Sequence, residues 1–377
     1  MKITNIKTAE VQIKINRQPR YTYHYVRVYT DEGIYGTGEA SHVDGGWRGS
    51  TQTMAQQLIG MDPRDVDSCF EGIRRSYIFR GGFSGLGISV LTGLEIALWD
   101  LAGKAQEIPV YRLLGGKFRD RVRLYVDSAH SNYKQRAEAI RADGFTAVKF
   151  DLDDAQNPHK LDAWNWSVTP GELGIIVDQA YEIREAVGPK IDLAIDLHGR
   201  YDATAGMKIA QELEDLNLMW LEEPVPPDNI DALKRITEST STPICAGENA
   251  YLRYGFRDML EKQAVDIIMP DISKCGGLSE CRKIANMAEI YYIPFAPHNN
   301  SSALSTVGDA HVCASVPNFL ALEFHRYDDP SWNDIILSDE PVIHQGHVIL
   351  SEKPGLGVEL NEEFLQSQLD ADEPLWQ

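Results

Sequence analysis

Three acidic residues each close a short apolar run: Asp196 in IDLAIDLHGR, Glu222 in LMWLEEP and Glu248 in PICAGE, with 26 residues separating each from the next. In a repeat of strand and helix, that spacing places three carboxylates at the same end of three consecutive parallel strands. Carboxylates that converge need a cation. Oxygen-only ligation favours a hard ion such as Mg²⁺ over zinc, which prefers nitrogen and sulfur.

Other apolar runs also end in ionisable groups: Lys149 and Asp151, His198 two residues past Asp196, Asp271, His298, and Glu323 with His325. Any one of these could be a wall salt bridge, but a ring of them in register points to catalysis. Asp196 and His198 leave their strand on the same face and can both enter a barrel mouth. Glu223 must point away from Glu222, to pair in the wall or with another cation. Asp271 in VDIIMPD and His298 in IPFAPH end neighbouring strands. A carboxylate beside an imidazole fixes its tautomer and raises its basicity, as a general base requires. His198 on the other side of the metal would then face His298, giving one base and one acid. Lys149 could touch an anionic substrate or form a salt bridge with Asp151.

The elements that must hold this ring follow from the hydrophobic rhythm. Eight short strands are expected at Val122–Ser128, Ala147–Leu152, Asp192–Leu197, Leu218–Glu222, Pro243–Glu248, Val265–Asp271, Ile293–His298 and Phe319–His325, with amphipathic helices between them. This is the pattern of a closed parallel (β/α)7β barrel, whose active site lies where the strands end. The second and third strands are unusually far apart, and the extra segment DDAQNPHKLDAWNWSVTPG reads as a lid over the mouth. Before the barrel come two strands joined by a loop near Asn16 to Tyr23, a third short strand after DEGIYGTGEA, and helices in STQTMAQQLIG, PRDVDSCFEGIRRSYI and SVLTGLEIALWDLAGKAQ. The expected domains are therefore an α+β capping domain over 1–120, the barrel over 121–326, and a segment over 327–377 that returns to the capping domain.

A chain of 377 residues suits a barrel with a smaller companion, and its net charge of −20 argues against nucleic acid or an anionic membrane as a partner. The N-terminal MKITNIKTAEVQIKI alternates like a strand rather than a secretion signal, and no apolar run is expected to reach membrane-spanning length. The odd set Cys69, Cys245, Cys275, Cys281 and Cys313, without a CxxC pair, suits reduced thiols in the cytoplasm.

The motifs IDLHGR, WLEEP, CAGE, MPDISKCGGLSE, APH and EKPGLGVE, with FRGG and ALWDLAGK nearer the N-terminus, make the chain resemble the enolase superfamily. The branch is that of mandelate racemase and muconate lactonizing enzyme, closest to the acid-sugar dehydratases of the galactonate and gluconate dehydratase kind. The resemblance implies that Asp196, Glu222 and Glu248 hold one Mg²⁺, which binds the carboxylate of a small sugar acid. It implies that His298, oriented by Asp271, takes the proton next to that carboxylate and that His198 protonates the departing 3-hydroxyl. Glu323, if protonated, would donate to a carboxylate oxygen, and the product would be a 2-keto-3-deoxy sugar acid. Lys149, Asp151 and His325 in the barrel, and Arg80, His24 and Trp47 in the capping segments, are the substrate contacts this implies. A homo-oligomer is expected by the same resemblance.

Two departures bear on the assignment. Strand two reads Lys149-Phe150-Asp151, without the second lysine of the family's racemases and muconate cycloisomerases, and Asn249 follows Glu248 where related dehydratases often have arginine. An epimerase or cycloisomerase of the same superfamily would use the same metal and base. A zinc hydrolase would need an HxH pair that the first barrel strand VRLYVDS lacks, and a non-catalytic binding barrel would leave the metal triad without a purpose.

Overall fold

A computed structural model describes the chain except residues 16, 17, 129–131, 155, 163 and 371. The N-terminal strands β1 (Ile3–Ile15), β2 (Gln18–Thr30) and β3 (Tyr35–Glu39) form an antiparallel sheet in that order. The loop expected over Asn16 to Tyr23 is mostly strand: Tyr21 pairs with Ile13, Thr22 with Gln12 and Tyr23 with Val11. Tyr and Thr favour the half-buried pleat, and their alternation extends the hairpin towards its tip. Asn16 and Arg17, where that loop would begin, lie outside the described residues.

Helices α1 (Trp47–Leu58) and α3 (Leu86–Ala105) pack on this sheet, and α2 (Val66–Ser76) packs on α3. The approach of α3 to β3 depends on glycine, since a Cβ on Gly36 would lie 2.1 Å from the carbonyl oxygen of Ala97 and one on Gly38 would lie 2.2 Å from that of Gly93. With its 20 residues, α3 is long and apolar enough to cross a membrane, which corrects the expectation that no stretch has that length; 83% of its apolar window is buried inside the molecule. A short helix α4 (Val110–Leu113) leads to the barrel.

The barrel elements alternate as β4 (Arg121–Ser128), α5 (Tyr133–Ala142), β5 (Ala147–Asp151), α6 (Pro170–Val187), β6 (Asp192–Asp196), α7 (Ala203–Glu212), β7 (Trp220–Glu222), α8 (Ile230–Thr237), β8 (Ile244–Ala246), α9 (Leu252–Glu261), β9 (Ile267–Ile268), α10 (Gly277–Ile290), α11 (Ala303–Ser315) and β10 (Leu322–Phe324). Neighbours from β4 to β9 pair in parallel, and β10 pairs with β4. Between β9 and β10 the ladder thins to isolated bridges, Ile268 with Phe295 and Phe295 with Phe319. The strand expected over Ile293–His298 is therefore reduced to isolated bridges, two at Phe295 and one at His298 with Asp271. Pro294 and Pro297 lack the N–H groups a ladder needs, and Pro270 ends β9 in the same way.

After the barrel the chain forms β11 (Ile336–Leu337), β12 (Ile343–His344), β13 (His347–Ile349), β14 (Glu359–Leu360) and α12 (Glu362–Ser367). Strand β13 adds antiparallel to the start of β4, and the tail reaches the first sheet, where Gln377 and Thr8 exchange backbone hydrogen bonds of 2.9 Å. Capping sheet and barrel are joined by carboxylates on α3. Asp100 accepts from the backbone N–H of Thr37 and of Leu356, and Glu95 accepts from those of Leu278 and Ser279 at the start of α10.

Candidate active site

Asp196 and Glu222 are paired residues at the ends of β6 and β7, so their side chains rise from one level of the barrel. Glu248 comes from higher: Glu222 pairs with Cys245, not with Glu248, so equal steps of 26 do not mean equal height. Gly247, with φ of 137°, bends the chain back after β8 where a Cβ would meet the Phe256 ring at 2.9 Å. The outcome is a cluster in which one carboxylate oxygen from each of Asp196, Glu222 and Glu248 lies within 4.8 Å of the others. Asp196 and Glu222 are buried, whereas Glu248 is partly exposed at the mouth.

Beneath this triad Lys149 is buried, with Nζ 2.7 Å from Glu323 Oε1, 2.9 Å from Glu222 Oε1 and 3.0 Å from Asp196 Oδ2. The partner expected for it, Asp151, is replaced by these three and by Asp127 at 3.6 Å. Glu222 Oε2 also accepts from Trp220 Nε1 at 2.9 Å. One ammonium among so many carboxylates leaves surplus negative charge: burial, followed by the charge of Asp196, pushes the Glu222 carboxyl well above its ordinary range. Asp151, half-enclosed beside Asp127 and Asp196, is pushed up to about 7 by burial first and then by those neighbours. Three converging carboxylates with excess negative charge are the donor set of a hard divalent cation, and the residues fit one.

Two histidines stand at opposite ends of the triad. His298 Nδ1 lies 2.8 Å from Asp271 Oδ2, and its Nε2 lies 3.3 Å from Glu248 Oε2. Burial pulls the imidazole down, but Glu248, Glu323 and Asp271 outweigh it and lift His298 to about 10. Burial would raise Asp271, yet the hydrogen bond with His298 and the nearby His42 imidazole hold it below the usual carboxylate range. His198 sits beside Asp196, with Nε2 3.7 Å from Asp196 Oδ2 and Nδ1 3.2 Å from Asp153 Oδ1. The Asp153 bond chiefly raises His198, to about 9, against partial burial and with help from Asp196. His198 and Glu223 both adopt left-handed backbone, at φ of 46° and 33°. The backbone N–H of His198 donates to Asp196 Oδ1, which steadies that turn. Glu223 turns into the wall, where Asn249 Nδ2 donates to it at 2.8 Å and Lys274 Nζ donates to Asn249 Oδ1 at 3.2 Å.

Glu323 lies on the floor of the site, against Lys149. Burial would raise it, but Lys149, His325 and His298 hold the buried carboxyl well below its ordinary range. It accepts from the Asn299 N–H and lies 3.2 Å from His325 Nε2, so in this arrangement it is held as an acceptor. The structure does not bring His24, Trp47 or Arg80 to the ring. Tyr23 and Tyr25 turn towards the barrel while His24, between them, packs edge-on against the Trp47 ring, whose indole donates to Glu10. Arg80 is exposed on a short 3-10 turn, over the Tyr77 ring.

Three residues at the mouth escaped the sequence reading. Asp127, one residue before the end of β4, lies 3.5 Å from His325 Nε2, and the strand-end rule applied to VRLYVDS would have found it. Asp153 opens the insert after β5, which contains residues 155 and 163 outside the description, and bonds His198 and Arg200. His42, from the loop after β3, comes within 3.4 Å of Asp271. No spacing in the sequence links it to the barrel.

Comparison with known proteins agrees with this architecture. The enolase C-terminal domain-like family model matches residues 132–364, and the model of the mandelate racemase / muconate lactonizing enzyme N-terminal domain matches residues 2–115. The chain belongs to the mandelate racemase and muconate lactonizing enzyme family of the enolase superfamily. It is 41% identical to a D-xylonate dehydratase of Haloferax volcanii, over 99% of this chain and 90% of that one. Against a D-galactonate dehydratase of Variovorax paradoxus the identity is 31%, over 100% and 97% of the two chains. A crystal structure of a mandelate racemase/muconate lactonizing enzyme-like protein from Rubrobacter xylanophilus superimposes with a TM-score of 0.93 at 44% identity, covering 100% of this chain and 99% of that one.

Proposed function

We propose that the protein is a Mg²⁺-dependent hydro-lyase that dehydrates a small sugar acid to its 2-keto-3-deoxy product. The observation that carries this is a histidine at each end of one carboxylate triad, His298 beside Glu248 and His198 beside Asp196. The dehydratase relatives point to the same reaction class, D-xylonate and D-galactonate being the acids in their names. Asp196, Glu222 and Glu248 would hold the ion. When bound, it supplies charge that stabilises the enediolate formed on loss of the α-proton and offsets the carboxylate field around His298.

The chain's own groups do the rest. His298 Nε2 faces the triad while Nδ1–H donates to Asp271, so Nε2 carries the lone pair that takes the proton beside the substrate carboxylate. His198, kept protonated by Asp153, gives its proton to the departing 3-hydroxyl. Lys149 and Glu323 form the charged floor on which the triad stands. The absence of a second lysine at Asp151 favours elimination over lysine-mediated racemisation.

The test is a panel of aldonic and aldaric acids incubated with the protein and Mg²⁺ and assayed for 2-keto-3-deoxy acid. Product that disappears with chelator and returns with Mg²⁺ is expected. Exchange of the α-proton in D₂O with no keto acid from any member would replace dehydration by epimerisation.

A further inference from the structure

His42 is supplied by the capping domain, yet it touches the most buried part of the proposed base. Its Nε2 lies 3.4 Å from Asp271 Oδ2, the same oxygen that faces His298 Nδ1 at 2.8 Å, and the His42 and His298 rings are 5.9 Å apart. Asp271 is wholly buried, whereas the His42 side chain keeps 39% of its surface exposed. The His42 backbone is left-handed, with φ of 52°, a conformation that non-glycine residues hold only when their surroundings impose it. Those surroundings are specific. The N–H of Ser41 donates to the carbonyl of Ser273, two residues beyond Asp271, and Glu39 accepts from the N–H of Ser302, four residues beyond His298. The segment carrying His42 is thus bonded to both loops that bear the dyad.

We propose that His42 is a positioning residue: its Nε2–H donates to Asp271 Oδ2 and holds that carboxylate against His298 Nδ1–H, so that the base is complete only when the capping loop is docked on the barrel. This rests on the reading of His298 as the base, and it adds a third member, from another domain, to the pair. An outer partner of this kind fixes the orientation and tautomer of the imidazole, and loss of the corresponding partner at metal-ligating histidines costs about 10–100-fold in affinity or activity.

The test uses full-length, Mg²⁺-loaded protein with His42→Ala, His42→Gln and Asp271→Asn, alone and combined. On an accepted sugar acid, His42→Ala is expected to lower kcat and α-proton exchange by at least about tenfold without raising KM. His42→Gln, whose amide can donate from a similar position, should recover most of the loss. In the Asp271→Asn background, His42→Ala should cost nothing further, because its route of action is already gone. A full additional loss in that background, or a raised KM with kcat unchanged, would overturn the proposal in favour of direct substrate contact. A second readout needs no substrate: the low-field proton NMR signal of the His298–Asp271 hydrogen bond should broaden or move in His42→Ala and persist in His42→Gln. An unchanged signal in both would defeat the positioning role even if no sugar acid is turned over, while a changed signal with no turnover would refute only the proposed reaction.

Discussion

At Lys149 the chain buries an ammonium with carboxylates of Asp196, Glu222 and Glu323 all within 3.0 Å. Removing one partner of a buried ion pair costs about 3–5 kcal/mol, because the charge left behind has no solvent. Lys149→Met should therefore lose stability of that order in chelator, and Mg²⁺ should recover part of it, as measured by chemical denaturation with and without the ion. The histidines separate differently. His298→Asn should lower α-proton exchange by about 10²-fold or more, and His198→Asn should lower keto acid formation by a similar factor while sparing exchange; equal loss of both activities in His198→Asn would remove its role as a dedicated acid. What made these residues legible was the rule that barrel strands end at the mouth, and it works because each repeat delivers its last side chain to one place. Asp153 and His42 obey no such rule. One begins an insert and the other arrives from a different domain, so only the folded chain brings them to His198 and Asp271.

The elements show where the hydrophobic pattern is a complete guide and where it fails. Helices α1, α2 and α3 lie where the apolar spacing of the first hundred residues puts them, and α6 begins at Pro170 behind Thr169, whose hydroxyl accepts from the Glu172 N–H. Strand length is a different matter, because pairing needs donors. The stretch IPFAPH has the apolar content of a strand but loses two backbone N–H groups to proline, so the chain runs along the barrel wall with isolated bridges. The contact of β3 with α3 also hides from the pattern, since the residues that matter there are glycines chosen for lacking a side chain. At Gly38 a methyl group would stand 2.2 Å from the Gly93 carbonyl, which neither backbone can avoid without sliding. Gly38→Ala should thus destabilise the protein by about 1–3 kcal/mol, the usual cost of overpacking, in a denaturant titration. A change within error would mean that the helix can shift freely on the sheet.

On the scale of the whole molecule, the capping domain and barrel act on one site because carboxylates of one accept backbone donors of the other. Glu95 is the clearest case: it lies on α3, is fully buried, and accepts from Leu278 and Ser279 at the start of α10 and from the Trp99 indole. The joint also needs Gly277, with φ of 86°, where a Cβ would stand 2.0 Å from Glu95 Oε2. Burial raises the Glu95 carboxyl from its ordinary 4.5 to about 7, although the Ser279 and Leu278 donors oppose the rise. A carboxyl whose pKa is higher in the folded than in the unfolded state contributes stability that is fully present below 4.5 and is lost as pH rises through 7. The size follows from the shift, at about 1.4 kcal/mol per unit, or roughly 3 kcal/mol in all. Glu95→Gln cannot ionise and lacks that dependence. Its stability relative to the parent should therefore rise by about 3 kcal/mol between pH 4.5 and pH 8 in paired denaturation curves, every other titrating group cancelling in the difference. A difference that stays flat across this window would show that the three donors keep Glu95 charged, and that the joint between the domains is an ionised cap on α10.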